Sequence, residues 1–269
     1  MSRASTRRAE PLGAIHPTAL VDAGAELADD VRVGAYSVIG PDVVLEAGVE
    51  VRAHALITGR TRIGARTRIF PFAVLGEEPQ DKSFSGEATE LVIGADNVLR
   101  EHVTIHVGTV KGGGCTRIGD DNFIMNGVHI AHDVQLGSHV IVASQVAIAG
   151  HAEIQDFAVI GGLCGVHQHA RVGESAMVAA LSGVSLDVPP FALVAGDRAT
   201  LRGVNVVGLR RRGFSREVRR EIKHAFHLLF QSRLRLEDAL AAVRREGVVS
   251  GEVERLLAFV ERSARGVSR

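Results

Sequence analysis

Residues 118–184 read IGDDNFIMNGVHIAHDVQLGSHVIVASQVAIAGHAEIQDFAVIGGLCGVHQHARVGESAMVAALSGV. Every sixth residue from Ile118 is aliphatic: Ile124, Ile130, Leu136, Val142, Ile148, Ile154, Ile160, Val166, Val172, Val178 and Val184. A period of six is neither the 3.6 of a helix nor the simple alternation of a long strand. It suits a short strand followed by a corner. Three such units close a triangular coil of 18 residues, and successive coils then pair about 4.8 Å apart through their backbones.

The same step runs upstream from Ile15 through Val21, Leu27, Val33, Ile39, Leu45, Val51, Ile57, Ile63, Ile69 and Leu75. It is lost over 76–92, where it would land on Asp81 and Glu87, and returns at Ile93, Leu99 and Ile105. It breaks again across Lys111-Gly112-Gly113-Gly114. Glycine often follows the aliphatic, as at Ile39-Gly40, Ile93-Gly94 and Leu136-Gly137, the pattern of a hexapeptide repeat. The expected fold is therefore mainly β, a parallel β-helix over residues 1–190. Two loops, at about 76–92 and 109–117, are thrown out of the prism.

Composition agrees with a thin, regular interior. Hydrophobic residues make up 46% of the 269-residue chain, but aromatics only 4%, with no Trp and one Tyr. Small aliphatics and 30 glycines must fill the core instead. Cys115 and Cys164 offer no disulfide framework, which fits a reducing, cytoplasmic setting. Met1 to Glu10 carries three arginines and no apolar stretch, unlike a signal peptide, and no run is long enough to span a membrane.

After Pro189-Pro190 the period stops. Val218, Ile222, Phe226, Leu229 and Phe230 follow helical spacing behind Ser215 as N-cap. Leu234–Arg245 and Glu252–Arg262 are also helix-like, separated by Gly247 and Gly251. A small helical domain is expected over 191–269. Formal net charge is zero, yet residues 201–269 hold 16 Lys and Arg against 8 Asp and Glu, and the first 200 hold 15 against 23. A basic tail on an acidic body favours an acidic partner or phosphate.

Stacking by 18 shows which polar residues become neighbours. One corner column reads His132–Gly150–Gln168, and the next reads Asp133–His151–His169. A histidine thus lies one rung, about 4.8 Å, from a glycine amide. Acyl transfer needs those two parts: a base with a pKa near neutrality, and a donor for the charge that develops on the carbonyl oxygen. Glycine admits close approach to the backbone. Asp133 could hold the imidazole tautomer as a triad carboxylate does, provided a corner turns the two side chains together. No Gly-X-Ser-X-Gly elbow is present, and Cys164 reads as a small buried hydrophobe.

At these residues the chain resembles the UDP-N-acetylglucosamine O-acyltransferase family over nearly its whole length. The stretches that carry the likeness are Ala14-Ile15-His16-Pro17-Thr18-Ala19, Thr104-Ile105-His106, Gly112-Gly113-Gly114, His129-Ile130-Ala131-His132-Asp133, Ala149-Gly150-His151, Ile160-Gly161-Gly162, Val166-His167-Gln168, Asp187-Val188-Pro189-Pro190, Gly203-Val204-Asn205 and Arg211-Arg212-Gly213-Phe214-Ser215-Arg216. The resemblance implies a left-handed coil, against the general preference for right-handed crossovers. It implies a homotrimer with sites between subunits, and transfer of a 3-hydroxyacyl chain from acyl carrier protein to the 3-hydroxyl of UDP-N-acetylglucosamine, the first step of lipid A synthesis. His132 would be general base, Asp133 its orienting group and the Gly150 amide the oxyanion donor. Gln80, Asp81, His129, His151, His167 and Gln168 would contact sugar or acyl group. Asn205, Arg211 and Arg212 would bind the nucleotide end, where Arg can fork onto phosphate. No metal or organic cofactor is implied beyond the phosphopantetheine that the donor brings, and neither nucleic acid nor a transmembrane segment is expected.

Departures from the family pattern include Ser83 at the usual loop lysine, for which Lys82 is the expected substitute, and Val207 in place of an acidic residue. Met177, Ala180 and Arg198 also differ, at positions tied to acyl-chain length. Rival readings are acylation of the 3-amino analogue of the sugar and the later N-acyltransferase of the pathway, which carries an extra N-terminal domain. From other classes come a zinc carbonic anhydrase drawing on His102, His106, His129, His132 and His151, and a non-catalytic scaffold.

Overall fold

The computed structural model describes residues 14–245 and 250–269; the arginine-bearing segment before residue 14, and Gly247, lie outside them. The six-residue period resolves into strands mostly two residues long, such as His129–Ile130, Gln135–Leu136 and Ile141–Val142, each followed by a turn. Successive strands do not pair with one another. Each pairs in parallel with the strand one coil on: His129 with Ala147, Gln135 with Glu153, Ile141 with Val159. Three sheets of nine, eight and ten strands form the sides of the prism, a left-handed parallel β-helix with a small helical C-terminal part. The residue of each strand that carries the period turns inward. Ile57, Ile63, Ile69, Leu75, Ile105, Ile130 and Ile148 are all fully buried.

Corners recur as regularly as the core. From Asp133 to Leu181 every sixth residue has φ near +60° (Asp133, His139, Gln145, His151, Phe157, Leu163, His169, Ser175, Leu181), although none is glycine. That left-handed conformation is unfavourable for residues with a Cβ. It is held because the corner N–H is bonded to the coil below: His151 N–H donates to the His132 carbonyl and His169 N–H to the Gly150 carbonyl, each at 3.1 Å.

The first extruded segment is narrower than expected, and the second is shifted toward the N-terminus. Strands Val74–Glu77 and Glu90–Ile93 bound the first, and Thr104–His106 and Cys115–Ile118 bound the second. Glu77 still pairs with His106 and Glu90 with Cys115. Backbone ladders demand N–H and C=O groups, not aliphatic side chains, so pairing outlasts the hydrophobic period.

Sheet structure also continues past Pro190. Ala192–Ala195 pairs with Met177–Val178, and Thr200–Val204 returns antiparallel to it. Among the described residues four α-helices follow: α1 (Val206–Arg211), α2 (Arg216–Phe226), α3 (Leu236–Arg245) and α4 (Gly251–Glu261), with a π-helical turn, His227–Gln231, after α2. Ser215 caps α2, accepting from Val218 N–H at 3.2 Å. Gly251 opens α4 instead of separating two helices.

Asp187 locks this part onto the prism. Its carboxylate is buried and accepts from the Arg171 amide, the Arg171 guanidinium and the Ser263 hydroxyl. Its backbone bonds Gly266 and Ser268, and Arg171 lies 4.2 Å over the Phe259 ring. Removing one partner strands the other charge in a dry setting. Asp187→Ala is expected to cost about 3 kcal/mol in denaturant unfolding; an unchanged midpoint would show that the pair does not hold the two parts together.

Candidate active site

The site arises where the coil is interrupted. At the other corners from His139 to Leu181 the residue with positive φ donates its N–H to a backbone carbonyl. At Asp133 the coil below is broken by the second loop, and the N–H donates instead to the buried Thr116 hydroxyl at 2.7 Å. The loop then folds back over the same residue. Thr109 donates its N–H to Asp133 Oδ1 at 2.7 Å and its hydroxyl to Oδ2 at 2.6 Å. Gly112 packs so closely that a Cβ there would lie 2.0 Å from the carboxylate carbon. Asp133 is thus an almost fully buried carboxylate with a dedicated set of donors.

The positive φ of Asp133 turns its side chain back to its neighbour, the corner that the sequence required. His132 Nδ1 lies 2.7 Å from Asp133 Oδ2. A carboxylate can only accept, so Nδ1 carries a proton, and in the neutral ring Nε2 has the lone pair. The imidazole lies directly over Gly150: a Cβ on that residue would sit 2.6 Å from His132 Cε1 and 2.9 Å from Nε2. Among the described residues the Gly150 N–H has no acceptor. A free imidazole nitrogen and an unused amide donor therefore share one edge of the prism.

Along that edge runs a groove of about 980 Å³. Its floor is the outward column His129, Ala147, Gly165 and Gly183 of the nine-stranded sheet, three rungs or about 14 Å long. Small residues there leave room for a long, thin ligand. Gln80, His132, Gly150, His167 and Gln168 line it, with Arg198, Arg265 and Arg269 toward the C-terminal end. Arg265 donates to the Gln168 carbonyl at 3.1 Å and lies 3.2 Å from His167 Nδ1, which steadies that wall.

Two histidines are shifted toward the neutral form. Burial, helped by the neighbouring His106, pushes the His129 imidazole below its ordinary value. Burial also lowers His151; Asp133 opposes the shift, while His169 and His132 add to it. His151 stacks on His169 with ring centres 4.5 Å apart and meets the His132 ring edge-on. Asp81 lies outside the groove lining, and its carboxyl is held below the usual range by hydrogen bonds from the Ser83 amide and hydroxyl.

The three residues expected at a nucleotide are not brought to the groove. Asn205 caps α1: its side chain accepts from Gly208 N–H at 3.0 Å and donates to the Ser175 carbonyl at 2.9 Å. Arg212 pairs with Glu174 at 3.1 Å and lies 3.5 Å over the Phe157 ring. Arg211 is exposed in the last turn of α1. Of the positions tied to chain length, Arg198 lines the groove and Met177 and Ala180 do not. Sequence reasoning missed Thr109, Gly112 and Thr116. Their signals were their place at the break in the period and, for Gly112, the Gly112-Gly113-Gly114 run.

His132, Asp133 and His151 bring possible ligand atoms within 4.8 Å of one another. Zinc would need a ring-nitrogen lone pair, Nδ1 or Nε2, from each histidine and a carboxylate oxygen with capacity to spare. Asp133 Oδ2 already accepts from Thr109 and His132, and His132 Nδ1 is the donor in that bond. His102 lies elsewhere, stacked on Phe72 in a ladder with His54 and Tyr36.

Residues 187–268 match the family model "UDP N-acetylglucosamine O-acyltransferase; Domain 2", and residues 115–150 match the bacterial transferase hexapeptide model. An acyl-(acyl-carrier-protein)–UDP-N-acetylglucosamine O-acyltransferase of Syntrophobacter fumaroxidans is 52% identical, over 95% of this chain and 99% of its own length. The corresponding protein of Thermodesulfovibrio yellowstonii is 48% identical, with the same coverage. Among solved structures, LpxA from Acinetobacter baumannii superposes with a TM-score of 0.92 at 38% identity, covering 95% of this chain and 99% of its own. UDP-N-acetylglucosamine acyltransferase of Arabidopsis gives 0.85 at 31%, covering 95% and 100%. With likeness of this extent in both sequence and fold, the chain belongs to the UDP-N-acetylglucosamine O-acyltransferase family.

Proposed function

We propose that the protein transfers a 3-hydroxyacyl chain from acyl carrier protein to the 3-hydroxyl of UDP-N-acetylglucosamine, the first step of lipid A synthesis. The observation that carries this reading is the free His132 Nε2 beside an unused Gly150 N–H at the head of a narrow groove. His132 Nε2 takes the proton from the sugar hydroxyl as its oxygen attacks the thioester carbon. The Gly150 N–H holds the resulting oxyanion, a contribution worth about 3 kcal/mol in comparable sites. Collapse breaks the carbon–sulfur bond, and the protonated imidazole returns its proton to the departing pantetheine thiolate. Asp133 stabilises the imidazolium meanwhile.

Gln80, His129, His167 and Gln168 meet the sugar or the acyl chain in the groove. Asp81 and His151 act from its border. The basic C-terminal part meets the acidic carrier protein. Arg211 is the exposed guanidinium for the nucleotide, while Asn205 and Arg212 serve that end by holding α1 in place. The working form in this reading is a cytoplasmic homotrimer with no resident cofactor. No helix among the described residues is long and apolar enough to cross a membrane. The small residues of the groove floor favour an acyl substrate over the hydrated small molecules of a carbonic anhydrase.

The test is mass analysis of products from UDP-N-acetylglucosamine and its 3-amino analogue, each with a ladder of 3-hydroxyacyl carrier proteins. His132→Ala should lower the rate by about 10²–10⁴-fold with substrate binding retained; turnover at the wild-type level would remove His132 from the mechanism. Chelation should leave the rate unchanged, and loss restored by zinc would favour the metal reading. Stability should also follow the two histidines shifted toward the neutral form. In the unfolded chain they take up protons as pH falls past about 6.5, while in the folded chain they resist. Their contribution is complete above that value and is lost as pH falls toward their lowered values. Replacing both His129 and His151 by Gln should flatten the fall in Tm on acidification; an unaltered slope would place its origin elsewhere.

A further inference from the structure

We propose that Lys111 is a positioning residue for Asp81, so that one turn sets both halves of the site. The turn is Thr109 to Gly112, capped by the Thr109 side chain. Its Thr109 and Gly112 face Asp133, as described above. Its Lys111 points the other way, into the first loop, where Nζ donates to Ser83 Oγ at 2.7 Å. The Ser83 hydroxyl and amide each lie 2.9 Å from Asp81 Oδ1. Direction along this chain is unambiguous. An ammonium can only donate and a carboxylate can only accept, so the hydroxyl accepts from Lys111 and donates to Asp81.

The first loop needs such a tether. Residues 82, 83 and 85–88 are exposed, and Thr89 is the first fully buried position after Pro79. His106 Nδ1 fastens the start of the loop, donating to the Glu78 carbonyl at 2.6 Å. Lys111 fastens it again at Ser83. Gln80, which lines the groove, and Asp81 lie between these two attachments. Lys82, the residue expected from sequence to stand in for the missing lysine, is exposed and makes no hydrogen bond or ion pair among the described residues. The cation beside Asp81 therefore comes from the second loop. Because the same turn grips Asp133, the distance between the groups that handle the acceptor and the imidazole is fixed through three residues, Lys111, Gly112 and Thr109.

The inference rests on the acyltransferase reading, and its test separates the two. Lys111→Met is expected to raise KM for the UDP-sugar roughly three- to tenfold, the scale of one partly exposed charge-assisted hydrogen bond, with kcat little changed. Ser83→Ala should do the same. The double variant should be no worse than either single one, since both remove one link. Lys111→Arg should restore most of the loss. Amide hydrogen exchange over 80–85 should quicken in Lys111→Met while Tm stays constant, a readout that needs no substrate. Additive effects, or exchange and KM like the wild type, would overturn the role of Lys111. Absence of acyltransfer in the wild type, with exchange still altered in the variant, would overturn the activity and leave the tether standing.

Discussion

Each coil's backbone must find its hydrogen-bond partners on the coil beside it, and that demand organises the molecule. Strands of two residues cannot stand alone; they persist because every one is laddered on both sides through much of the prism. The same ladder holds non-glycine corners at positive φ by giving their N–H groups an acceptor. Side chains are then delivered to columns whose members differ by one coil in sequence and by one rung in space. The reactive edge is a consequence of that arithmetic. His132 meets Gly150 because their backbones stack, and the ring has room because residue 150 has no Cβ.

A continuous prism would be chemically inert at that edge. Chemistry enters where the ladder fails. The second loop removes the carbonyl that Asp133 would otherwise use, and a buried polar N–H left unpaired would be costly. Thr116 supplies the acceptor, and Thr109 supplies two donors to the carboxylate. The interruption therefore converts an ordinary corner into a buried, oriented anion next to an imidazole. The imidazole itself sits in a corner turn between two laddered strands, which suits a group that must meet developing charge without rearrangement.

The legible part of this design was the periodic part. The step of six from Ile118 to Val184 disclosed the core, and stacking by 18 placed His132, Gly150 and Gln168 in one column before any coordinates. What was not legible is aperiodic. That Lys111 crosses to Ser83, or that Gly112 covers Asp133, depends on how two loops leave and rejoin the prism, which no spacing encodes. Backbone pairing of Glu77 and Glu90 was hidden because it carries no aliphatic signature. Asn205 is a different case. An Asn ahead of Val206-Val207-Gly208-Leu209 is also a helix-start signal in its own right, and its side chain does accept from Gly208 N–H. Arg212, pinned between Glu174 and the Phe157 ring, could not have been told from a phosphate-binding arginine by residue type.

Division of labour between scaffold and loops has a chemical logic. In the proposed mechanism the His132–Asp133 pair needs fixed geometry but little specificity, since any hydroxyl at the right place would serve the imidazole. In the proposed reading the acceptor must be told from other sugars, and the contacts that do so would come from the loop bearing Gln80 and Asp81. A loop alone would be too mobile to hold an acceptor against a fixed base. Joining it through Ser83 to the turn that already grips Asp133 ties the loop to the frame with a single ammonium. The backbone ladder thereby governs residues that are not part of it.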